Sequence, residues 1–168
     1  MTIRPESVRA GRVSPLCTQG MPSGYIKQAS MESESVSALS LIGDEQADLS
    51  VHGGPEKAVY GYAVTHYATW RSETPVHADL LVPGGMGENP TITGVGEAEP
   101  CIGDVHRIGT VTMQVCQPRQ PFFKLSAYFG NTKMLRAFVR RWCIAAAAFP
   151  QRMRLQPLHV RCLDRGRA

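Results

Sequence analysis

Val111-Thr112-Met113-Gln114-Val115, entered through Ile108-Gly109-Thr110 and left through Cys116-Gln117-Pro118-Arg119-Gln120-Pro121, is the stretch on which the fold class turns. Its odd positions are apolar and its even positions polar, the period of two expected of a strand with one buried face. With Ile102–Arg107 on the other side of Ile108-Gly109-Thr110, it predicts a β-hairpin. Two prolines in Gln117–Pro121 remove two ladder donors, so that segment is expected as an extended loop and not as part of a central strand.

The same reading works outward from there. Arg9–Leu16 reads as a short opening strand ended by Pro15. Ser35–Leu41 alternates apolar residues with serines and predicts a half-buried strand. Ala58–Tyr62 is rich in strand formers, and Leu80–Val82 is a brief apolar strand stopped by Pro83-Gly84-Gly85. Thr65–Arg71 sets His66 and Trp70 four residues apart, a helical spacing. Met134–Trp142 is the strongest helix candidate. Short strands with turns at intervals of about 8–12 residues, and few helices, point to a barrel or a sandwich.

The bulk composition agrees. A chain of 168 residues holds one domain with a substantial core. Its 16 glycines and 12 prolines suit many turns better than a helical bundle. It has no apolar run of about 18 residues that would span a membrane, and no apolar segment of a secretory signal near the start. Cys17, Cys101, Cys116, Cys143 and Cys162 are odd in number and widely spaced, which argues for a reducing compartment and places the protein in the cytoplasm.

The net charge of +4 is unevenly spread: residues 1–132 carry nine Lys/Arg and 13 Asp/Glu, residues 133–168 nine Lys/Arg and Asp164 alone. The basic end is nearly all arginine with almost no aromatic interleaving. A solvated tail is therefore expected, and no nucleic-acid partner.

Three clusters in turns carry the chemistry. The first runs from Gly43-Asp44-Glu45-Gln46-Ala47-Asp48 into His52-Gly53-Gly54-Pro55-Glu56-Lys57, where paired glycines admit a ligand to the backbone and His52 and Lys57 suit an anion. A plain solvated turn fits that pattern equally well. The second, Pro83-Gly84-Gly85-Met86-Gly87-Glu88-Asn89, lacks the third glycine of a dinucleotide fingerprint but offers a nest of backbone N–H groups. The third, Cys116 to Lys124, holds Arg119 and Lys124 in a proline-stiffened loop, a credible anion clamp. His52, His66, His106, Cys101 and Cys116 show no short metal-ligand spacing, so zinc is not read there. A Ser-His-Asp hydrolase fails for want of G-x-S-x-G.

Taken in order, Gly43–Leu49, His52–Ala58, Gly87-Glu88-Asn89, Cys101-Ile102-Gly103-Asp104 and Gln117-Pro118-Arg119-x-Pro121 closely resemble the MOSC family, the molybdenum cofactor sulfurase C-terminal domain, and most of all its YiiM-type bacterial branch. The resemblance covers about residues 9 to 130. It implies a mainly β fold, a small β-barrel with a few peripheral helices, over residues 1–132. It also implies a cleft for the pterin-based molybdenum cofactor, with His52, Lys57, Asn89, Arg119 and Lys124 as cofactor contacts and Gln117 orienting a ligand or the loop. Members of that branch are thought to reduce N-hydroxylated compounds such as hydroxylaminopurines with electrons from partner redox proteins; the cofactor performs the oxygen-atom chemistry.

Two departures qualify it. Where the family motif continues with the cysteine expected to ligate molybdenum, this chain has Phe122, which has no lone pair to donate. Cys116 is a poor substitute, six residues earlier on an alternating strand. The Asn89-Pro90 step also replaces an expected apolar residue. Residues 133–168 do not follow the family pattern and read as a divergent helix and a basic, arginine-rich tail, aberrant or truncated relative to it. Two functions follow from different classes: a molybdenum-cofactor-dependent oxidoreductase, or a non-catalytic module that binds the cofactor or a sulfur carrier, or a relic. A third reading, pyridoxal-phosphate or other phosphate-ligand binding, rests on the same basic loops.

Overall fold

The structure, a computed structural model, describes residues 3–17, 20–30, 34–50, 52–94, 100–119, 122–144 and 151–155. The hairpin stands where the alternation predicts it: β8 (Val105–Ile108) and β9 (Val111–Pro118) are antiparallel, with Ile108 opposite Val111. Met113 and Val115 are buried, as their odd positions require. β9 runs on through Gln117 and Pro118, which the prolines had argued against. The ladder reaches its last pair at Pro118, opposite Gln151, so the missing donor falls at a strand end, where it costs least.

A sheet in the order β5-β10-β9-β8 is completed by β5 (Val59–Tyr60) and β10 (Gln151–Leu155). A second sheet runs β4-β1-β7-β6, from β1 (Arg4–Ala10), β4 (Gln28–Ala29), β6 (Tyr62–Ala63) and β7 (Pro90–Thr93). All its pairs are antiparallel except β6 with β7. β2 (Ser14–Leu16) and β3 (Met21–Ser23) form a separate hairpin. Only Gly61 separates β5 from β6, so the chain turns from one sheet into the other across a single residue. Among the described residues this gives mixed sheets joined at a corner, with no closed ring of strands.

Among the described residues three α-helices pack on these sheets. α1 (Thr65–Glu73) buries His66, Tyr67 and Trp70, the one face that their spacing predicts. α2 (Phe123–Phe129), unforeseen in the sequence, ends at Gly130 with φ 59°, and the N–H groups of Gly130 and Asn131 bond back to Ala127 and Ser126. That is a Schellman cap, which a residue bearing a Cβ adopts only with strain. α3 (Thr132–Ile144) contains the expected Met134–Trp142; Met134 and Phe138, four apart, enter the core, where Phe138 stacks on Trp70 at 5.6 Å. The segment after residue 132 thus adds a helix to the core and a strand to a sheet. The rest of the basic tail lies outside the described residues. No helix among the described residues is long and apolar enough to cross a membrane.

Three expected strands differ. The opening strand starts earlier, at Arg4, and Pro15 sits inside the β2–β3 hairpin. Ser35–Leu41 makes one isolated bridge, Val36 to Leu41, because the Ser37 hydroxyl accepts from the N–H groups of Leu39 and Ser40 and folds the chain back. Leu80–Val82 is a turn: the N–H groups of Leu80 and Leu81 bond to the carbonyl of His77, and burial of Leu81 explains the apolar signal.

Candidate functional site

A cleft of about 100 Å³ opens between the loop at residues 43–58, the glycine-rich turn at 84–89 and the start of α2. Its floor is built first. Glu88 is fully buried, yet its carboxylate accepts from the backbone N–H groups of Gly84 (2.7 Å) and Met86 (3.2 Å) and from the hydroxyls of Tyr67 (2.7 Å) and Thr91 (2.7 Å). Four donors around one carboxylate make the burial tolerable and lock the turn. The turn's nest of N–H groups is therefore filled from inside by the protein's own anion. Gly87 has φ 73° and lies where a Cβ would press on the ring of Tyr25 at 3.1 Å, so only glycine fits there without a shift.

Asn89 joins the floor to the sheets. Its Oδ1 accepts from the N–H of Tyr60 (3.1 Å) and its Nδ2 donates to the carbonyl of Arg9 (3.1 Å). The side chain lines the cleft while it holds β1 and β5 in place.

The walls carry the charge. Lys27, Lys57, Arg119 and Lys124 line the cleft with His52, against the carboxylates of Asp44 and Glu45. Both carboxylates have partners. Asp44 forms a buried ion pair with Lys27 and accepts the N–H of Gly11 (3.0 Å), and Glu45 accepts the N–H of Val13 (2.9 Å). Burial lowers the Lys27 ammonium from its ordinary value, the Asp44 charge works against that, and Arg119 adds to the lowering. Arg119 lies over the ring of Tyr60, 4.1 Å from its centroid, and donates to the carbonyl of Met86 (3.0 Å). Lys124 donates to the carbonyl of Pro22 (2.9 Å); burial lowers its ammonium too, with Asp48 opposing. Hydrogen bonds from Ser50 hold the exposed Asp48 carboxyl below the usual carboxylate range, and the Asp48 carbonyl accepts the N–H of His52 (3.0 Å).

Of the residues expected from the sequence, His52, Lys57, Asn89, Arg119 and Lys124 line this one cleft, although they span 73 positions of the chain from His52 to Lys124. Phe122 lines it as well. Its ring meets that of His52 edge to face at 5.6 Å and lies 4.3 Å from that of Phe123. Gln117 and Cys116 lie on β9 and do not line it, and the Cys116 thiol reaches the carbonyl of Gln114 at 3.5 Å. Lys27 and Tyr60 were missed. Lys27 sits in Gly24-Tyr25-Ile26-Lys27, outside every cluster, and only its spatial pairing with Asp44 brings it in. Among the described residues no three His, Cys, Asp or Glu side chains are arranged to hold a metal ion.

Such an arrangement, with a rigid floor and surplus positive charge on partly exposed walls, suits a small anion-bearing molecule. The comparisons point to a family. Residues 48–162 match the model of the MOSC domain. A protein named "Reductase" from Gibberella moniliformis is 38% identical over 135 residues, 79% of this chain and 24% of that one. Protein YiiM of Escherichia coli is 38% identical over 125 residues, 74% of this chain and 55% of its own. A crystal structure described as that of a hypothetical protein superposes with a TM-score of 0.69 at 28% identity, covering 89% of this chain and 58% of the other. The chain thus spans about a quarter to just over half the length of these relatives.

Proposed function

The chain belongs to the MOSC domain family, and from that premise we propose that its cleft binds the molybdenum cofactor and that the protein is related to reductases of N-hydroxylated compounds. One observation carries this reading: Lys57 from the turn at Pro55–Lys57, Arg119 from the end of β9 and Lys124 from the first turn of α2 converge on one cleft, whose two carboxylates are already engaged, Asp44 by Lys27 and Glu45 by the N–H of Val13. A phosphate there would meet charge-assisted donors from several directions, and Arg119 can present two parallel N–H groups to it.

The donor set fits the phosphate-bearing end of the group. Arg119, Lys124 and Lys57 would hold that end, His52 would add a hydrogen bond, and Asn89 and Glu88 would keep the floor rigid. When bound, the group would supply oxygen-atom transfer to and from the substrate. The metal end is less well served. Cys17, Cys101 and Cys116 do not line the cleft, and Phe122 can ligate nothing. We place the protein in the cytoplasm on its cysteine spacing, and a barrel-like closure of the two sheets through the corner at Gly61 fits the family fold.

Phe122 favours a second reading, a non-catalytic module that binds the cofactor or a sulfur carrier. Molybdenum content per chain, measured on protein from a host that makes the cofactor and on its Phe122→Cys variant, separates the two. Near-stoichiometric metal in the unmodified protein, with reduction of an N-hydroxylated purine by an artificial electron donor, supports the reductase. Metal only in Phe122→Cys supports the module. Neither metal nor pterin in either protein contradicts cofactor binding altogether.

A further inference from the structure

We propose that Phe122 makes this cleft a site for a flat, phosphate-bearing heterocycle that is held by ring stacking and cations, with no bond from protein to metal. The inference rests on the reading of the cleft as an anion site and adds the chemistry of the rest of the ligand. Phe122 lines the cleft and 37% of it remains exposed, so its ring is open to a molecule seated there. Two neighbours fix its tilt: the His52 ring meets it at 86°, and the Phe123 ring lies beside it at 53°. A ring braced in this way loses little freedom when a ligand stacks on it. Arg119 and Lys124 flank it in the chain and line the same cleft, so a molecule that presents a plane to Phe122 and an anion to the two cations would satisfy all three.

This arrangement selects against a bare anion, which gains nothing from the ring, and against an uncharged ring, which gains nothing from the cations. It needs no bond from a thiol to a metal, since none of Cys17, Cys101 and Cys116 lines the cleft. Guanosine 5′-monophosphate is a suitable probe, because its base contains the fused aminopyrimidinone also found in pterins and its phosphate is terminal.

Calorimetric titration of the full chain with guanosine 5′-monophosphate, guanosine and inorganic phosphate tests the proposal. The nucleotide should bind at least about tenfold more tightly than phosphate, given the usual worth of a base stacked on an aromatic side chain. Phe122→Ala should remove that advantage and leave phosphate affinity unchanged, while Phe122→Tyr keeps it. Phe122→Leu, which preserves apolar bulk and guards against a folding artefact, should lose it as Ala does. Equal affinity for nucleotide and phosphate in the unmodified protein, or an advantage that survives Phe122→Ala, overturns the proposal and leaves the anion site standing. No binding of nucleotide or phosphate by the unmodified protein overturns both.

Discussion

The floor of the cleft and its walls solve opposite problems with charged residues. Glu88, in the floor, is surrounded by four donors from its own chain and has nothing left to offer a ligand. Lys27, in the wall, is nearly as buried, but among the described residues its side chain pairs with a single carboxylate, that of Asp44. Arg119 and Lys124 each donate to a main-chain carbonyl, which among the described residues leaves donors of both side chains uncommitted. A saturated carboxylate is architecture, whereas an undersaturated cation beside open space is a binding group. The contrast predicts that substitutions in the floor or in the buried Lys27–Asp44 pair cost stability, and that substitutions of Arg119 and Lys124 cost ligand.

The sharpest way to break it is Glu88→Ala. Three buried donors and the half-buried N–H of Gly84 would lose their acceptor, the buried ones at about 1–3 kcal/mol each, so a stability loss of at least about 3 kcal/mol is expected in urea denaturation. A loss below about 1 kcal/mol would mean that the floor is not held as described. Asp44→Ala comes next, because it strands the Lys27 ammonium with side-chain exposures of 6% and 2% in the pair; about 3 kcal/mol is expected, eased if the lysine gives up its proton.

Alkaline pH tests the floor differently. Burial raises Tyr67 above its ordinary value of 10.0, and the Glu88 charge and hydrogen bond raise it further; burial likewise raises Tyr25 and Tyr128. A group with a raised folded-state pKa contributes stability in full below its unfolded value and loses it as pH rises beyond that. Stability should therefore fall above about pH 10, by up to about 1.4 kcal/mol per pH unit for each of the deeply buried Tyr67 and Tyr25, and by less for the half-exposed Tyr128. Lys27 acts in the opposite sense, since its lowered value makes its penalty fade as pH climbs toward 10.5. Denaturation midpoints at pH 9, 10 and 11 should show a shallower fall for Tyr67→Phe than for the unmodified protein. An equal slope would remove Tyr67 from the account. Smallest in stability is Lys124→Ala, about 0.5 kcal/mol or less by thermal melting, since the side chain is only partly buried and its partner is a carbonyl.

The sequence made the walls more legible than the floor. His52, Lys57 and Arg119 stand in glycine- and proline-rich turns and Lys124 just after one, where residue type and local stiffness already suggest an anion, and the family resemblance gathered them into one cleft. Gln117 and Cys116 fell outside it because β9 runs two residues further than its prolines suggested, which keeps both on the strand. Glu88 appeared only as part of a glycine-rich motif, since nothing local says that its partners include Tyr67 from α1 and Thr91 from β7. The Lys27–Asp44 pair was hidden for the same reason, as its members lie 17 residues apart and meet only in the fold. The β8–β9 hairpin and α1 were readable because their periodicity is local. The serine-rich 35–41 segment was not, because a hydroxyl bonding to the backbone imitates a strand's alternation while folding the chain back.

The most direct measurement of the central claim is the pterin released per chain on denaturation, read by fluorescence after oxidation. It compares the unmodified protein with the Arg119→Ala/Lys124→Ala double variant, both made in a host that produces the cofactor. Near-stoichiometric pterin in the first and a loss of about tenfold or more in the second, at unchanged melting behaviour, is the predicted result. No pterin in the unmodified protein, or equal amounts in both, would contradict the assignment of these cations as the cofactor's anchor.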